Sequence, residues 1–204
     1  VTLSELPALD RPTALEAHGI NVKKYPCCYY THTSIHAAER LADEHDVDPE
    51  DVESIHVVTS PGPADALHYP NPETGLEGKF SLEYTVASAV AREHVGVEAF
   101  EDGAVADPDV QRVRERVEWE IDDSLEYNDT TVEMRMETGD GVYTRVQDVP
   151  PGDPSNPLSD AELEAKFRRC ASRVLDEDVV DRTHEQLDSL RSVDDIGSIV
   201  SSED

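Results

Sequence analysis

Residues 131–148, TVEMRMETGDGVYTRVQD, decide the fold. Val132, Met134 and Met136 alternate with charged neighbours, the period-two pattern of a strand with one face turned inward. Gly139-Asp140-Gly141 supplies a tight turn, and a second strand runs from Gly141 to Asp148, so the segment reads as an antiparallel hairpin. Upstream, Val117, Trp119 and Ile121 alternate in the same way. So do Ile55, Val57 and Thr59 against His56 and Val58 in the stretch Val52–Thr59, which Pro61-Gly62-Pro63 stops. Helical spacing fills the gaps. One helix is predicted from Thr33 to about Glu44, with Ile35, Ala38, Leu41 and Ala42 inward. A second, from Ser81 to about His94, presents Phe80, Tyr84, Ala87 and Ala91, and its small residues suit a buried position. A shorter one starts at Asp107-Pro108 by the preference of proline for a first helical turn. Together these predict the α+β class, an antiparallel sheet with packed helices, over residues 22–150.

The flanks read differently. Residues 1–21 carry Pro7, Pro12 and Gly19 and form a lead-in segment with at most one helical turn. Residues 150–157 are a proline-rich crossing, after which Ser159 and Glu162 stand at capping-box spacing. The helix they start groups Leu163, Phe167, Cys170 and Val174, and a second amphipathic helix at about Glu177–Leu190 groups Val180, Leu187 and Leu190. Residues 151–204 are therefore expected to be helical, with apolar faces that seek a partner.

Charge excludes several functions. The chain has 46 acidic and 17 basic side chains, a formal net charge of −29, which repels nucleic acid and anionic membrane surfaces. The acids are spread along the whole chain, and Lys23, Lys24, Lys79 and Lys166 are its only lysines. That distribution is expected of a protein working in concentrated salt, as in the cytoplasm of halophilic archaea, where self-repulsion is screened. Cys27, Cys28 and Cys170 are odd in number and two are adjacent, so a reducing compartment is expected. Nothing reads as a secretory leader or a membrane span, and a soluble, cytoplasmic chain follows as the expectation.

Chemistry concentrates in residues 22–36, VKKYPCCYYTHTSIH. A consecutive pair, Lys23-Lys24, is hard to dismiss as ordinary solvated surface in a chain with four lysines, and an ammonium is a strong partner for a carboxylate. His32 has the titration range of a general acid or hydrogen-bond donor, and equally suits a helix cap or a core position. His32 and His36 have the spacing of a two-histidine metal face, but no third ligand is evident, and no metal is expected. Cys27 and Cys28 stand beside cations that lower a thiol's pKa, yet cysteine more often packs as a small apolar residue. Lys79, which follows Glu77-Gly78, can meet a substrate carboxylate or pair with Glu77 or Glu83. Tyr29, Tyr30, Tyr69 and Tyr84 offer hydroxyls, with nothing to single one out.

Three stretches together resemble the MmgE/PrpD family, which includes 2-methylcitrate dehydratase and cis-aconitate decarboxylase. They are VKKYPCCYYTHTSIHAAERL (22–41), NPETGLEGKFSLEYTVASAV (71–90) and NPLSDAELEAKFRRCA (156–171). They carry a Lys-x-aromatic-Pro opening with a downstream His, a Gly-Leu-Glu-x-Lys-Phe-Ser helix start, and a Pro-Leu-Ser-x-x-Glu-Leu-x-x-Lys-Phe helix. Members of that family are considerably longer, with an N-terminal helical domain, an α+β lid, and C-terminal helices that return to the helical domain. The resemblance implies that residues 22–150 are the lid and 151–204 the returning helices, with the helical domain as partner and a homodimer as the assembly. It implies a lyase acting without a cofactor on a tricarboxylate, a hydro-lyase of the 2-methylcitrate dehydratase type being the nearest. Lys23 would face the tricarboxylate pocket as a catalytic and binding residue, His32 would act in the same loop, and Lys24 and Lys79 would bind substrate. The family's acid/base His and Asp belong to the helical domain. An epimerase or isomerase of a carboxylated substrate in the same family, and a non-catalytic subunit-like module needing a helical partner, stand as the other readings.

Overall fold

The computed structural model describes residues 13–193 and 196–200; Pro7 and Pro12 of the lead-in segment lie outside them. The chain divides into two compact units, residues 1–157 and 158–204. In the first, α1 (Ala14–His18) opens with a reciprocal Thr13/Glu16 capping box. The next helix, α2 (His32–His45), ends where Asp46 takes the left-handed conformation at φ 50°. Strand β1 (Val52–Thr59) follows, then a one-turn helix α3 (Gly75–Gly78) and α4 (Leu82–Ala91), whose Ser81 cap accepts from the Tyr84 N–H at 3.1 Å. Short helices α5 (Asp102–Val105) and α6 (Pro108–Arg114) lead into β2 (Val117–Ile121), β3 (Val132–Thr138) and β4 (Gly141–Gln147).

The strands form one sheet in the order β2-β1-β3-β4. The α+β class holds, and β1, β3 and β4 are antiparallel, with Val57 opposite Met134 and Met136 opposite Tyr143. The edge pair corrects the expectation of a wholly antiparallel sheet: β2 runs parallel to β1, with Val57 beside Trp119. The cause is the connection. The chain leaves β1 at Thr59 and returns only after α4 and α6 have crossed the sheet, and a helical crossover of that length sets the next strand parallel.

All the inward-pointing strand residues meet one helical layer. Ile55, Val57, Met134 and Met136 are buried against Ile35 and Leu41 of α2 and Leu82 and Val86 of α4, while Val110 and Val113 bring α6 into the same core. The other face of the sheet carries His56, Glu120, Glu133, Arg135 and Thr144 and is covered by nothing among the described residues of this unit. This is the one-sided sheet, one face packed and one open, that alternation of apolar and polar residues produces.

In the second unit α7 (Asp160–Ala171) starts at the Ser159/Glu162 capping box read from the sequence, and α8 (Glu177–Asp188) and α9 (Gly197–Val200) follow. Arg168 joins α7 to α8, with Nε 2.8 Å from Glu164 and a guanidinium nitrogen on Asp181. Val180 is buried, but α7 has no buried residue. Leu163, Val174, Leu187 and Leu190 are exposed, as is Cys170.

Candidate functional site

Residues 22–31 form a strap across the N-terminal end of α2. Pro26 keeps the strap from joining the helix, and a tight turn at Tyr29–Thr31 delivers the chain to His32. The strap is pinned at both ends. The Val22 N–H donates to the Gly152 carbonyl at 2.8 Å, and the Cys28 N–H donates to the Lys79 carbonyl at 2.9 Å. Between these anchors Tyr25 is buried, its hydroxyl donating to Glu39 Oε2 at 2.5 Å.

This anchoring separates the predicted site residues into two groups. Lys23 is exposed and donates through Nζ to the Cys27 carbonyl at 2.9 Å. The backbone bond from Cys28 brings Lys79 to the same place, and both ammonium groups act electrostatically on the Cys27 thiol. Lys79 Nζ stands 5.9 Å from the centre of the Phe100 ring. Among the described residues neither Lys23 nor Lys79 has a carboxylate within ion-pair distance. The carboxylates expected to neutralise Lys79 are used elsewhere: Glu77 accepts from the Glu73 N–H at 2.7 Å and Glu83 accepts from Trp119 Nε1 at 3.0 Å. Lys24 takes the opposite direction, with Nζ 3.8 Å from Glu39 Oε2 and 5.4 Å above the Tyr25 ring. His32 is wholly buried, edge-on to Tyr25 at 5.2 Å and tilted against Tyr29 at 5.0 Å. It lies under the strap and forms part of its support, while Lys23 lies on top.

The cysteines are packing residues at this point. Cys27 is buried, 3.1 Å from Thr31 Oγ1, and burial pushes its thiol up to about 12, which outweighs the opposing pull of the Thr31 hydrogen bond and the two lysines. Unfolding returns the thiol to its ordinary value of 9.0. The neutral thiol therefore contributes its full stability below pH 9, and that contribution is lost as pH rises from 9 toward 12, by about 1.4 kcal/mol per pH unit. Urea midpoints for the wild type and Cys27→Ala check this: between pH 8 and pH 10.5 the wild type should lose more, and parallel declines would contradict it.

A cavity of about 250 Å³ opens beside the strap, lined by Tyr29, Tyr30, Thr33, Ser60, Asn128 and Thr130 among others. The Tyr30 hydroxyl donates to Asn128 Oδ1 at 2.6 Å. The Tyr29 hydroxyl is sealed from water with no hydrogen-bond partner among the described residues, and burial, followed by the charge of Asp153, raises its pKa. These two tyrosines are thereby distinguished from Tyr84, whose hydroxyl is used structurally on the Ala99 carbonyl. Sequence spacing could not have found the cavity, because its walls come from segments as distant as Tyr30 and Asn128. The only local signal was the clustering of tyrosines ahead of α2.

Residues 25–192 match the family model described as the MmgE/PrpD C-terminal domain. The chain is 26% identical over 188 residues to cis-aconitate decarboxylase of Homo sapiens, covering 89% of this chain and 39% of that protein. It is 26% identical over 202 residues to cis-aconitate decarboxylase of Mus musculus, covering 94% of this chain and 41% of that protein. The chain thus spans about two fifths of the length of the curated relatives it matches.

Proposed function

The chain belongs to the MmgE/PrpD family, and from that premise we propose that it supplies the substrate-holding part of a lyase acting on a tricarboxylic acid of the 2-methylcitrate or cis-aconitate kind. The observation that carries the reading is the meeting of Lys23 and Lys79 at Cys27–Cys28, without carboxylate partners among the described residues, in a chain of net charge −29. Several cations in so acidic a chain are paired with a carboxylate, as Arg40, Arg112, Arg135 and Arg168 are. Lys23 and Lys79 have none among the described residues, and what sets them apart is that both act on the same spot at Cys27, a local site for an anion brought from outside.

Loss of water or carbon dioxide from such an acid needs charge to build up next to a carboxylate. An ammonium held against that carboxylate stabilises the charge as it forms, and a second one fixes the substrate's orientation. In this scheme Lys23 performs the first task and Lys79 the second. Lys24, turned toward Glu39, adds longer-range attraction, and buried His32 keeps the strap in place beneath Lys23. The proton is taken by a base on an N-terminal helical domain, against which the exposed apolar residues of α7 and α8 dock.

The test combines the chain with an N-terminal helical domain and follows citrate-family acids by NMR. Turnover that requires both components is expected, and the product spectrum separates dehydration from decarboxylation and from epimerisation. Absence of turnover on every such acid by a folded, associated pair would remove the lyase reading.

A further inference from the structure

The cavity beside the strap takes its walls from residues 29–33, 59–63 and 128–132, and these segments are fastened to one another. The Tyr30 hydroxyl donates to Asn128 Oδ1 at 2.6 Å, Ser60 Oγ donates to the Asp129 carbonyl at 2.7 Å, and the Gly62 N–H donates to the Tyr127 carbonyl at 2.9 Å. At Gly62 the approach is so close that an added side chain would strike the Tyr127 carbonyl and crowd the Tyr30 hydroxyl. The cavity is therefore preformed. Its volume of about 250 Å³ falls just under the roughly 300 Å³ at which pockets for drug-sized ligands begin, so its occupant is a small metabolite.

The walls also set the charge of that occupant. None of the lining residues is basic, and no Lys, Arg or His occurs between His56 and His68 or between Arg116 and Arg135, the stretches that supply the sheet side. Asp129 accepts from the Thr131 N–H at 2.8 Å, a bond that holds its carboxyl below the usual carboxylate range, and among the described residues it has no cationic partner. Such a cavity rejects carboxylates and attracts cations. The kind of cation follows from the hydrogen bonds on offer. A primary ammonium brings three donors, but the Asn128 and Asp129 oxygens already accept from Tyr30 and Ser60. An alkylated ammonium has no N–H to satisfy and is held by aromatic faces, and Tyr29 and Tyr30 bring two rings to one wall. The Tyr29 hydroxyl, buried and without a partner among the described residues, remains available as a donor to an oxygen on the ligand.

We propose that this cavity binds a small quaternary ammonium compound, its cationic head against the Tyr29 and Tyr30 rings and beside the Asp129 carboxylate. No part of this site depends on a tricarboxylate, on Lys23 or Lys79, or on a helical domain.

The experiment is calorimetric titration of the full chain with choline as the probe, and with neohexyl alcohol, in which carbon replaces the choline nitrogen, as its uncharged match in shape. Choline should bind saturably at one site, and the alcohol about tenfold more weakly or worse. Asp129→Asn keeps an oxygen for the Thr131 N–H and should weaken choline binding about tenfold. Tyr29→Leu removes one ring and should weaken it by about three- to thirtyfold. Lys23→Ala should leave it unchanged, which separates this site from the anion site on the strap. Circular dichroism confirms the fold of each variant. Absence of saturable choline binding, equal affinity for the alcohol, or undiminished binding by the folded Asp129→Asn and Tyr29→Leu variants would each overturn the proposal.

Discussion

Gly75→Ala is expected to destabilise the first unit by about 3 kcal/mol or more. Gly75 opens α3 inside the Gly-Leu-Glu-Gly-Lys-Phe-Ser stretch and is buried. Its N–H donates to Asp102 Oδ1 at 2.9 Å, which draws the Phe100–Asp102 backbone onto its α-carbon. A methyl group there collides with the Phe100 carbonyl, a backbone atom with no rotamer to escape into. Relief requires residues 97–102 to move, and Phe100 and Ala99 are themselves core residues. Gly103→Ala is the paired control. It lies in α5 with nothing within 4 Å of the added carbon, and should be neutral or stabilising by up to about 1 kcal/mol. Chemical denaturation of both variants gives the comparison, and equal midpoints would show that α3 is not packed against this backbone.

Removing the Lys23 or the Lys79 ammonium should weaken the handling of a tricarboxylate by about 10- to 100-fold, the range of a lost hydrogen bond between charged partners. If the proposed division of labour is right, Lys23→Ala lowers kcat and kcat/KM together in the assembled enzyme, because its contact strengthens as charge develops. Lys79→Ala raises KM and leaves kcat nearly unchanged. Lys24→Ala is the discriminating control, since its ammonium stands by Glu39, and it should change either parameter by less than about threefold. A Lys24→Ala effect equal to that of Lys23→Ala would mean that the strap binds substrate through its other face. High salt should reduce all three differences, because each is an interaction of accessible charges.

How much of this was legible depended on the distance over which each feature is encoded. The β3–β4 hairpin is local: Met134 and Met136 face inward on one side of a two-residue turn, and the pattern cannot be satisfied another way. The Ser159 cap is equally local, since its partner Glu162 lies within one turn. The parallel seat of β2 was not legible, because alternation in Val117–Ile121 gives its faces but not its direction, which the α4 and α6 crossover sets. At the site, the rarity of lysine picked out the pair Lys23-Lys24, and the family motif pointed to Lys79. Their meeting depends on one backbone bond from Cys28 to Lys79, which no side-chain pattern announces. The same limit applies to Lys24, whose diversion needs Glu39 to arrive on the facing turn of α2, and to His32, for which burial and catalysis were equally compatible with the sequence.

The order of strands in the sheet also governs how the chain acquires it. Among the paired strands, β3 and β4 alone are joined by a tight turn, whereas β1 and β2 are separated by residues 60–116. β1 must wait for β3 across residues 60–131, and β2 can join only after residues 60–116 have folded back as helices. Loop closure over such spans is slow compared with hairpin formation, so assembly proceeds inward from the β4 side and finishes at β2. During that interval the ribbon of β3 and β4 exists with neither its central neighbour nor its helical cover. β4, which carries no acidic residue, is therefore among the first to form and the longest exposed, which makes misassembly at high chain concentration a kinetic hazard that the mature fold does not reveal.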